Sequence, residues 1–467
     1  MEDYEQASNI EFNAVGSLSF SGSKVPVSFT GRYSKTENKK ISIEIYPKKR
    51  YQSNSIFNWI MQFPAELEGK TRLGERIWIP QVSILSRAVG NFSLSGSSQQ
   101  IVFGDLNKIR GRTRFKAFVP STSLLTPNLS VAYYLDGRIA PLPNEKFEAD
   151  SIEWDSVIGK ARFTQEFEFY DGKYGVPSSL IRLQNSVLII DVSGIKKADV
   201  KSYYRSIAKE TANILNLLSI FSLKRLGWYQ TELLVKSRGA YQTKAHSYGF
   251  DWMGFEPENA RNSPHVFLPI LPIKLKRNSL FSSLYHNYSQ SEFKEIIKRA
   301  INYLLSTYEY GYRESHYSSA YSALETIVNG TADENTLYIL TKPDFKKLKG
   351  ALTYLIETET STSEVADDIK KKLQELRRRS FADKVLLIAK THNIDLSKIW
   401  KEPGDIEKQI REVFRRRNAL IHNGLITNNS QHQLDFFRIR KLALLLILKL
   451  LGCPTEAING HWINQDG

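Results

Sequence analysis

The hydrophobic pattern of this chain changes its period once, close to residue 288. Before that point, segments such as KKISIEIYP (39–47) and NSVLIIDVSG (185–194) alternate apolar and polar residues, which is typical of antiparallel strands. After it, apolar residues recur at helical spacing, beginning with Phe293, Ile296, Ile297, Ala300, Ile301, Leu304 and Leu305. Because side chains repeat every two residues on a strand but every three or four on a helix, this succession predicts an α+β protein. A β-rich N-terminal region of antiparallel sheets with one long helix would precede an all-α helical bundle.

We expect two regions, a β-rich region over 1–287 and a helical domain over 288–467. One helix, over about 198–223, interrupts the strands of the first region. The segment 260–279 contains three prolines, which makes it the best candidate for a linker. The pattern also allows the β-rich region to be divided into two subdomains, about 1–145 and 146–287.

The charge of the chain favours an anionic partner. The formal net charge is +15, and most of the excess lies before Tyr288. Nucleic acid is the first candidate partner, and an anionic membrane surface is the second. Cys453 is the only cysteine, which excludes an internal disulfide framework and fits a reducing cytoplasm. We expect no membrane insertion, because the N-terminus lacks a signal-like apolar run and the longest apolar run, LALLLIL (442–448), is too short to span a bilayer.

The segment RRRNALIHNG (415–424) places a cation within the apolar stripe of a helix. On a helical wheel, Arg417 projects into the middle of a stripe that is formed by Ile406, Ile410, Val413, Leu420 and Ile421. Arginine is seldom buried without a partner or a function. This position therefore marks Arg417 as a candidate site residue, and His422 follows it near the end of the helix.

The order Arg417, Asn418 and then His422 resembles the motif of the HEPN superfamily (higher eukaryote and prokaryote nucleotide-binding). Its ribonuclease members carry an arginine, a polar residue and, after a short spacer, a histidine. The helix YSSAYSALETIVNG (317–330), the segment ILNLLSIFSLKRLGWYQ (214–230) and the β-rich region before a helical domain resemble ApeA-like members. The resemblance implies a HEPN-like bundle and an anti-phage endoribonuclease that acts in abortive infection. It also implies that the N-terminal region senses a phage-derived trigger or restrains the nuclease.

The chemistry of RNA cleavage assigns roles to these residues. RNA supplies its own nucleophile, the 2′-hydroxyl, so a metal-independent enzyme needs a proton-transfer group and a fixed cation. His422 is the candidate acid or base, and Arg417 is the candidate phosphate ligand. Asn418 shares a helix face with His422, so it can orient the imidazole or bind phosphate. Because cleavage needs both an acid and a base, we expect a homodimer through the helical domain, with a composite site for RNA and no metal or cofactor.

Three further residues are candidates for supporting roles, and structural roles remain open for all of them. Arg415 and Arg416 are candidate RNA-binding cations, and Glu325 is a candidate partner of Arg417. Alternatively, Arg417 satisfies Glu325 or helix-end carbonyls, while His422, Arg415 and Arg416 complement the helix dipole. Those alternatives together describe a non-catalytic HEPN protein that binds nucleic acid or nucleotide as an interaction module.

The rest of the sequence adds little chemistry. It contains no P-loop, no H-E-x-x-H, no G-x-S-x-G and no dinucleotide fingerprint after a strand, and its other histidines lack metal-ligand spacing. A group of tyrosines suggests either a base-stacking platform or, more simply, core packing, at positions 308, 310, 312, 317 and 321.

Overall fold

The computed structural model divides the chain into two compact units, Met1–Phe267 and Leu268–Gly467. It describes residues 9–454 except 21–22, 35–40, 49–64, 88–92, 107–108, 110, 120–130, 134–138, 142–150, 171–180, 196–199, 224, 250–276, 309–312, 361 and 424–429. It describes the backbone alone for residues 9, 34, 87, 131–133, 139–141, 165–170, 181–185, 193–195, 200, 277–278, 313 and 419–423.

The first unit is built from antiparallel strands. Its described strands are β1 Asn9–Phe20, β2 Ser23–Ser34, β3 Ile41–Pro47, β4 Ala65–Thr71, β5 Arg76–Arg87, β6 Leu94–Ser98, β7 Gln100–Gly104, β8 Gly111–Val119, β9 Val131–Tyr133, β10 Ile139–Pro141, β11 Ser151–Ser156, β12 Gly159–Tyr170, β13 Ile181–Ile195, β14 Gln230–Ser237 and β15 Ala240–Gly249. Among the described residues, β9 pairs with β10, and the other thirteen strands form one sheet.

The sheet has a closed part and an open part. Strands β1, β2, β3, β6, β5 and β4 pair in that order, and β4 pairs again with β1, which closes a ring of strands. Apolar side chains from every ring strand fill its core, including Leu18, Phe29, Ile43, Leu67, Ile79 and Leu94. From β5, the open part continues through β7, β15, β14, β8, β13 and β12 to β11.

The structure confirms the mixed α+β class with a β-rich N-terminal part, but its sheet does not divide near residue 145. Strand β8 precedes that position, yet it pairs with β13 on one side and with β14 on the other. Backbone hydrogen bonds of the open part therefore join the two halves of the region. Alternating hydrophobicity predicts strands but carries no information on which strands become neighbours.

The long helix of the first unit, α1 (Val200–Ser222), is tied to the sheet by polar contacts near its N-terminal end. The Tyr204 hydroxyl lies 2.9 Å from Thr231 Oγ1 of β14 and donates to Ser247 Oγ of β15 at the same distance. Glu66 of β4 accepts hydrogen bonds from Lys201 Nζ at 2.6 Å and from Arg205 NH2 at 2.6 Å. The sheet therefore holds the helix through both neutral and charged groups.

We expect the Glu66 cluster to make the stability of the first unit dependent on pH. Burial alone would raise the pKa of Glu66, but hydrogen bonds and charges from Lys201, Trp78 and Arg205 lower it below 4.5. A carboxylate with a depressed folded-state pKa stabilises fully above its unfolded pKa and loses that contribution as pH falls through the folded value. In urea denaturation, Glu66→Gln should destabilise at about pH 6, and its difference from wild type should shrink toward about pH 3.

Glu11→Gln is the matched control for this experiment. Glu11 belongs to an exposed pair with Arg32 at 3.7 Å, and such pairs contribute little to stability. The role assigned to Glu66 is incorrect if Glu66→Gln and Glu11→Gln respond to pH alike.

The second unit is helical in its described residues. Its helices are α2 Arg277–Gln290, α3 Lys294–Ser306, α4 Arg313–Thr331, α5 Glu334–Leu337, α6 Lys342–Glu359, α7 Ser363–Lys372, α8 Phe381–Thr391, α9 Ile406–Asn423 and α10 Ser430–Leu450, with 3₁₀ turns at Leu373–Arg377 and Leu396–Lys398. The second half of α10 is buried on nearly all sides and contacts α3 and α4. This burial explains its run of leucine and isoleucine. Among the described helices, none combines the length and apolar character needed to cross a membrane.

The helical unit includes residues before the expected start at 288. Helix α2 begins at Arg277, buries Phe281 and Leu284, and contacts α3. Near its end, Asn287 Nδ2 donates to the Leu451 carbonyl at 2.9 Å. The hydrophobic pattern of α2 is weak because serine, asparagine and tyrosine interrupt it, so its packing partners, rather than its sequence, assign it to this unit.

Candidate functional site

Helix α9 carries the RRRNALIH motif and begins at a defined cap. Asp405 Oδ1 accepts hydrogen bonds from the backbone N–H groups of Glu407 at 2.9 Å and Lys408 at 3.3 Å. A carboxylate at this position satisfies free amides and interacts favourably with the helix dipole. Ile410 and Val413 are completely buried on the inner face, which orients the residues that follow.

Arg417 is held by a short set of contacts on the inner side of α9. Its NH2 group donates to Glu325 Oε1 at 2.6 Å, and its NH1 group donates to Asn418 Oδ1 at 3.2 Å. The guanidinium carbon lies 5.5 Å from the centre of the Tyr321 ring. Tyr321 and Glu325 are one turn apart on α4, so a single face of that helix presents both groups to the arginine.

The Arg417 side chain lies at the margin of the core rather than in its middle. It is 23% exposed, and that of Glu325 is 33% exposed. The helical wheel predicted a more central position, because a wheel shows the direction of a side chain but not where the neighbouring helix ends. The guanidinium has N–H donors beyond its two bonds to described residues, so it can still bind an anion from solvent.

Arg416, the preceding residue, has a different environment. Its Nε donates to Asp435 Oδ2 at 2.7 Å, and its NH2 donates to Asp435 Oδ1 at 2.9 Å. Asp435 of α10 is completely buried and also accepts from Gln431 Nε2 at 3.1 Å. The hydrogen bond to Asp435 is the largest contribution that raises the Arg416 pKa. This bidentate pair favours a structural role for Arg416, joining α9 to α10, over the predicted role in RNA binding.

The other predicted site residues occupy the same end of α9. Arg415 is 79% exposed and forms a pair with Glu412 at 3.1 Å, one turn earlier on the helix, so its predicted contact with RNA stays a prediction. Asn418 is exposed and uses its carbonyl oxygen for Arg417. His422 lies in the last turn of α9, but its side chain is outside the described residues, so its orientation and its relation to Asn418 stay untested.

Two of the candidate stacking tyrosines are core residues. Tyr317 is 5% exposed and Tyr321 is 2% exposed, and their hydroxyl oxygens lie 3.3 Å apart. The Tyr321 hydroxyl donates to the Val413 carbonyl at 3.4 Å, which joins α4 to α9. Burial raises the pKa of both tyrosines. Core packing is thus the interpretation that the structure favours for these two positions. Positions 310 and 312 lie outside the described residues.

Sequence reasoning missed two residues of α10 that belong to this region. Asp435 gave no signal, because one carboxylate in a long apolar helix is not distinctive until its partner is known. The His432 ring lies 6.3 Å from the Tyr317 ring, and its buried Nδ1 has no hydrogen-bond partner in the described part of the chain. The fold thus brings the imidazole of His432 close to Tyr317.

The site presents a partly exposed cation at the edge of the helical core. Arg417 supplies an oriented cation that remains partly exposed, and Glu325 and Asn418 limit its motion. An oriented guanidinium matches the geometry of phosphate oxygens. Within the described residues, no group of three or more His, Cys, Asp or Glu side chains is arranged to hold a metal ion.

Comparison with protein-family models, with curated proteins and with solved structures gave no match.

Proposed function

We propose that the helical unit is a HEPN-type domain and that it cleaves RNA without a metal at a site formed by Arg417 and His422. The observation that carries this proposal is the environment of Arg417. Its guanidinium is fixed by Glu325 and Asn418, remains partly exposed, and lies on the helix whose last turn contains His422. A cation of this kind and a histidine on the same helix are the two components that phosphodiester cleavage requires.

The reaction uses the 2′-hydroxyl of the substrate as the nucleophile. His422 accepts the proton of this hydroxyl while its oxygen forms a bond to phosphorus, and the bond from phosphorus to the 5′-oxygen breaks. The departing oxygen takes a proton from a second acid, which leaves a 2′,3′-cyclic phosphate and a 5′-hydroxyl. Arg417 binds the phosphate oxygens, whose negative charge increases in the transition state.

Glu325 acts as a positioning residue in this scheme. It holds one terminal nitrogen of Arg417 at 2.6 Å, while Asn418 holds the other at 3.2 Å. Restricting the guanidinium before the substrate binds removes part of the entropic cost of orienting it. The remaining N–H donors are those that contact the phosphate.

The second acid comes from a second copy of the chain, whose His422 completes the site in a homodimer. An isologous interface places two identical motifs near one axis, which is the simplest way to obtain two histidines from a motif that has one. The resemblance to ApeA-like proteins supports an anti-phage role in the cytoplasm. In that role the first unit responds to a phage-derived trigger.

A second candidate function is non-catalytic binding of RNA or nucleotide. The observation that favours it is the 2.6 Å ion pair between Arg417 and Glu325, because a carboxylate at this distance also satisfies the arginine structurally. Under this alternative, the protein retains RNA in a filter-binding assay but does not cut it.

A digestion of RNA in excess chelator separates the two functions. We expect the purified protein to cut RNA in EDTA and to leave 2′,3′-cyclic phosphate and 5′-hydroxyl ends, because the 2′-hydroxyl is the attacking group. DNA and 2′-O-methyl RNA of the same sequence are the matched controls and should remain intact. Cleavage of DNA, or a strict requirement for magnesium, would exclude the proposed mechanism.

A further inference from the structure

Residues 340–376 form an arm whose two ends meet. At its root, Tyr338 and Arg378 form a β-bridge, and Ile339 N donates to the Arg377 carbonyl at 2.8 Å. The Arg377 guanidinium lies 3.8 Å from the centre of the Tyr338 ring and contacts Glu334 at 3.2 Å. The arm, which contains helices α6 and α7, therefore begins and ends at the same β-bridge.

The arm buries little apolar surface of its own. Among its described residues, Phe345, Ala366 and Leu373 are the buried apolar side chains. Large apolar side chains remain more than a third exposed on both helices and the following turn, namely Leu348, Tyr354, Leu355, Val365, Ile369 and Leu376. An exposed apolar surface of this kind is characteristic of a binding face.

The charges of the arm are separated along α6. The tip, where α6 ends and α7 begins, carries the acidic residues Glu357, Glu359 and Glu364. The root, where α6 begins, carries the basic residues Lys342, Lys346, Lys347 and Lys349 beside one acidic residue, Asp344. Helix α7 carries both signs, since Lys370 pairs with Asp367 at 3.7 Å and Lys371 pairs with Asp368 at 2.9 Å. Lys370 Nζ contacts Glu357 at 2.7 Å, which joins α7 to the last part of α6.

We propose that the arm is a dimerisation surface that binds the arm of a second copy of this chain in antiparallel orientation. A two-fold axis through the middle of the arm would place the acidic tip of each copy against the basic root of the other. The exposed apolar side chains between the ends would then be buried by their symmetry equivalents. The acidic tip would repel a nucleic acid along this face, whereas a second copy matches both ends at once.

This inference deepens the proposed function, which requires two copies of the chain, but it has its own readout. Two charge-reversed forms of the full chain test it, root-reversed K346E/K347E and tip-reversed E359K/E364K, all at exposed positions. Each form alone would place like charges against each other in a homodimer, and the dissociation constant measured by analytical ultracentrifugation should rise by at least about tenfold. An equimolar mixture of the two forms should dimerise again, since each reversed end then meets an end of opposite charge.

Dimers can be restored in the mixture only if both forms are folded. Circular dichroism of each form checks its folding separately. Folded forms that stay monomeric when mixed would overturn the proposal. A monomeric wild-type chain would also overturn the proposal. So would a variant with Tyr354→Asp and Leu355→Asp that dimerises as strongly as wild type. Dimerisation is measured without RNA, so it is independent of the cleavage assay in EDTA. A wild type that dimerises through the arm but does not cut RNA in that assay contradicts only the proposed nuclease activity.

Discussion

Replacement of His422 by alanine is expected to lower the rate of RNA cleavage by about 10²- to 10⁴-fold, which is the usual contribution of a general acid or base. The fold should survive, because His422 lies in the last turn of α9, where truncation of a side chain disturbs packing least. Single-turnover cleavage of a labelled RNA in EDTA measures the rate, and circular dichroism checks the fold.

His286→Ala is the matched control for this variant. His286 is an exposed histidine of the same unit, on α2, so its removal should leave the cleavage rate unchanged. Arg417→Lys provides a second test, because lysine keeps the charge but cannot bind phosphate through two parallel N–H groups or keep both contacts to Glu325 and Asn418. Full activity of His422→Ala would remove this histidine from the mechanism.

The same variant tests the shared site. If each site uses a histidine from both copies, an excess of His422→Ala chains should reduce the activity of wild type by more than dilution, because mixed dimers lack one histidine. Activity that falls only in proportion to dilution would indicate that one chain contains the complete site. His432→Ala would then be the next variant to measure, since His432 approaches Tyr317 within the same chain.

Asp435→Asn is expected to lower the free energy of unfolding of the helical unit by about 3 kcal/mol, at the lower end of the range for breaking a buried ion pair. The substitution preserves the shape of the side chain but removes the charge that two nitrogens of Arg416 bind. Asp435 is completely buried, whereas the Arg416 side chain is 29% exposed, and this partial exposure keeps the expected loss from being larger. Urea denaturation followed by circular dichroism measures the change.

Glu412→Gln is the matched control, because it also replaces a carboxylate that pairs with an arginine by an amide. Glu412 pairs with Arg415 on the outer face of the same helix, and an exposed pair one turn apart contributes less than about 0.5 kcal/mol. If Asp435→Asn and Glu412→Gln have equal effects, the Arg416–Asp435 pair does not hold α9 against α10. Arg416 would then again be a candidate for RNA binding.

Local sequence determined the type and limits of most helices. The helix expected over about 198–223 corresponds to α1, Val200–Ser222, and the stripe that begins at Phe293 corresponds to α3, Lys294–Ser306. Such patterns are reliable because any helix that packs on a core must place apolar residues every three or four positions, so that they form one buried face. The weakly patterned α2 shows the limit of this reasoning, since its serines and asparagines carry no clear stripe.

Within the candidate site, the sequence determined which residue types lie together on α9 but not what each one contacts. Arg416 and Arg417 are adjacent and have the same chemistry. Arg416 contacts the buried Asp435, whereas Arg417 contacts the partly exposed Glu325. Their partners lie on α10 and α4, so only helix packing distinguishes a structural arginine from one that can bind a phosphate.

Strand pairing and surface exposure were likewise decided by the tertiary structure alone. Alternating hydrophobicity along β8 predicts a strand. Its pairing with β13 and β14 is made by backbone groups that every residue carries, so the side-chain pattern does not predict it. In α6 and α7, the sequence reads as ordinary amphipathic helix. The fold leaves Tyr354 and Leu355 exposed on the arm, whose root is closed by the β-bridge between Tyr338 and Arg378.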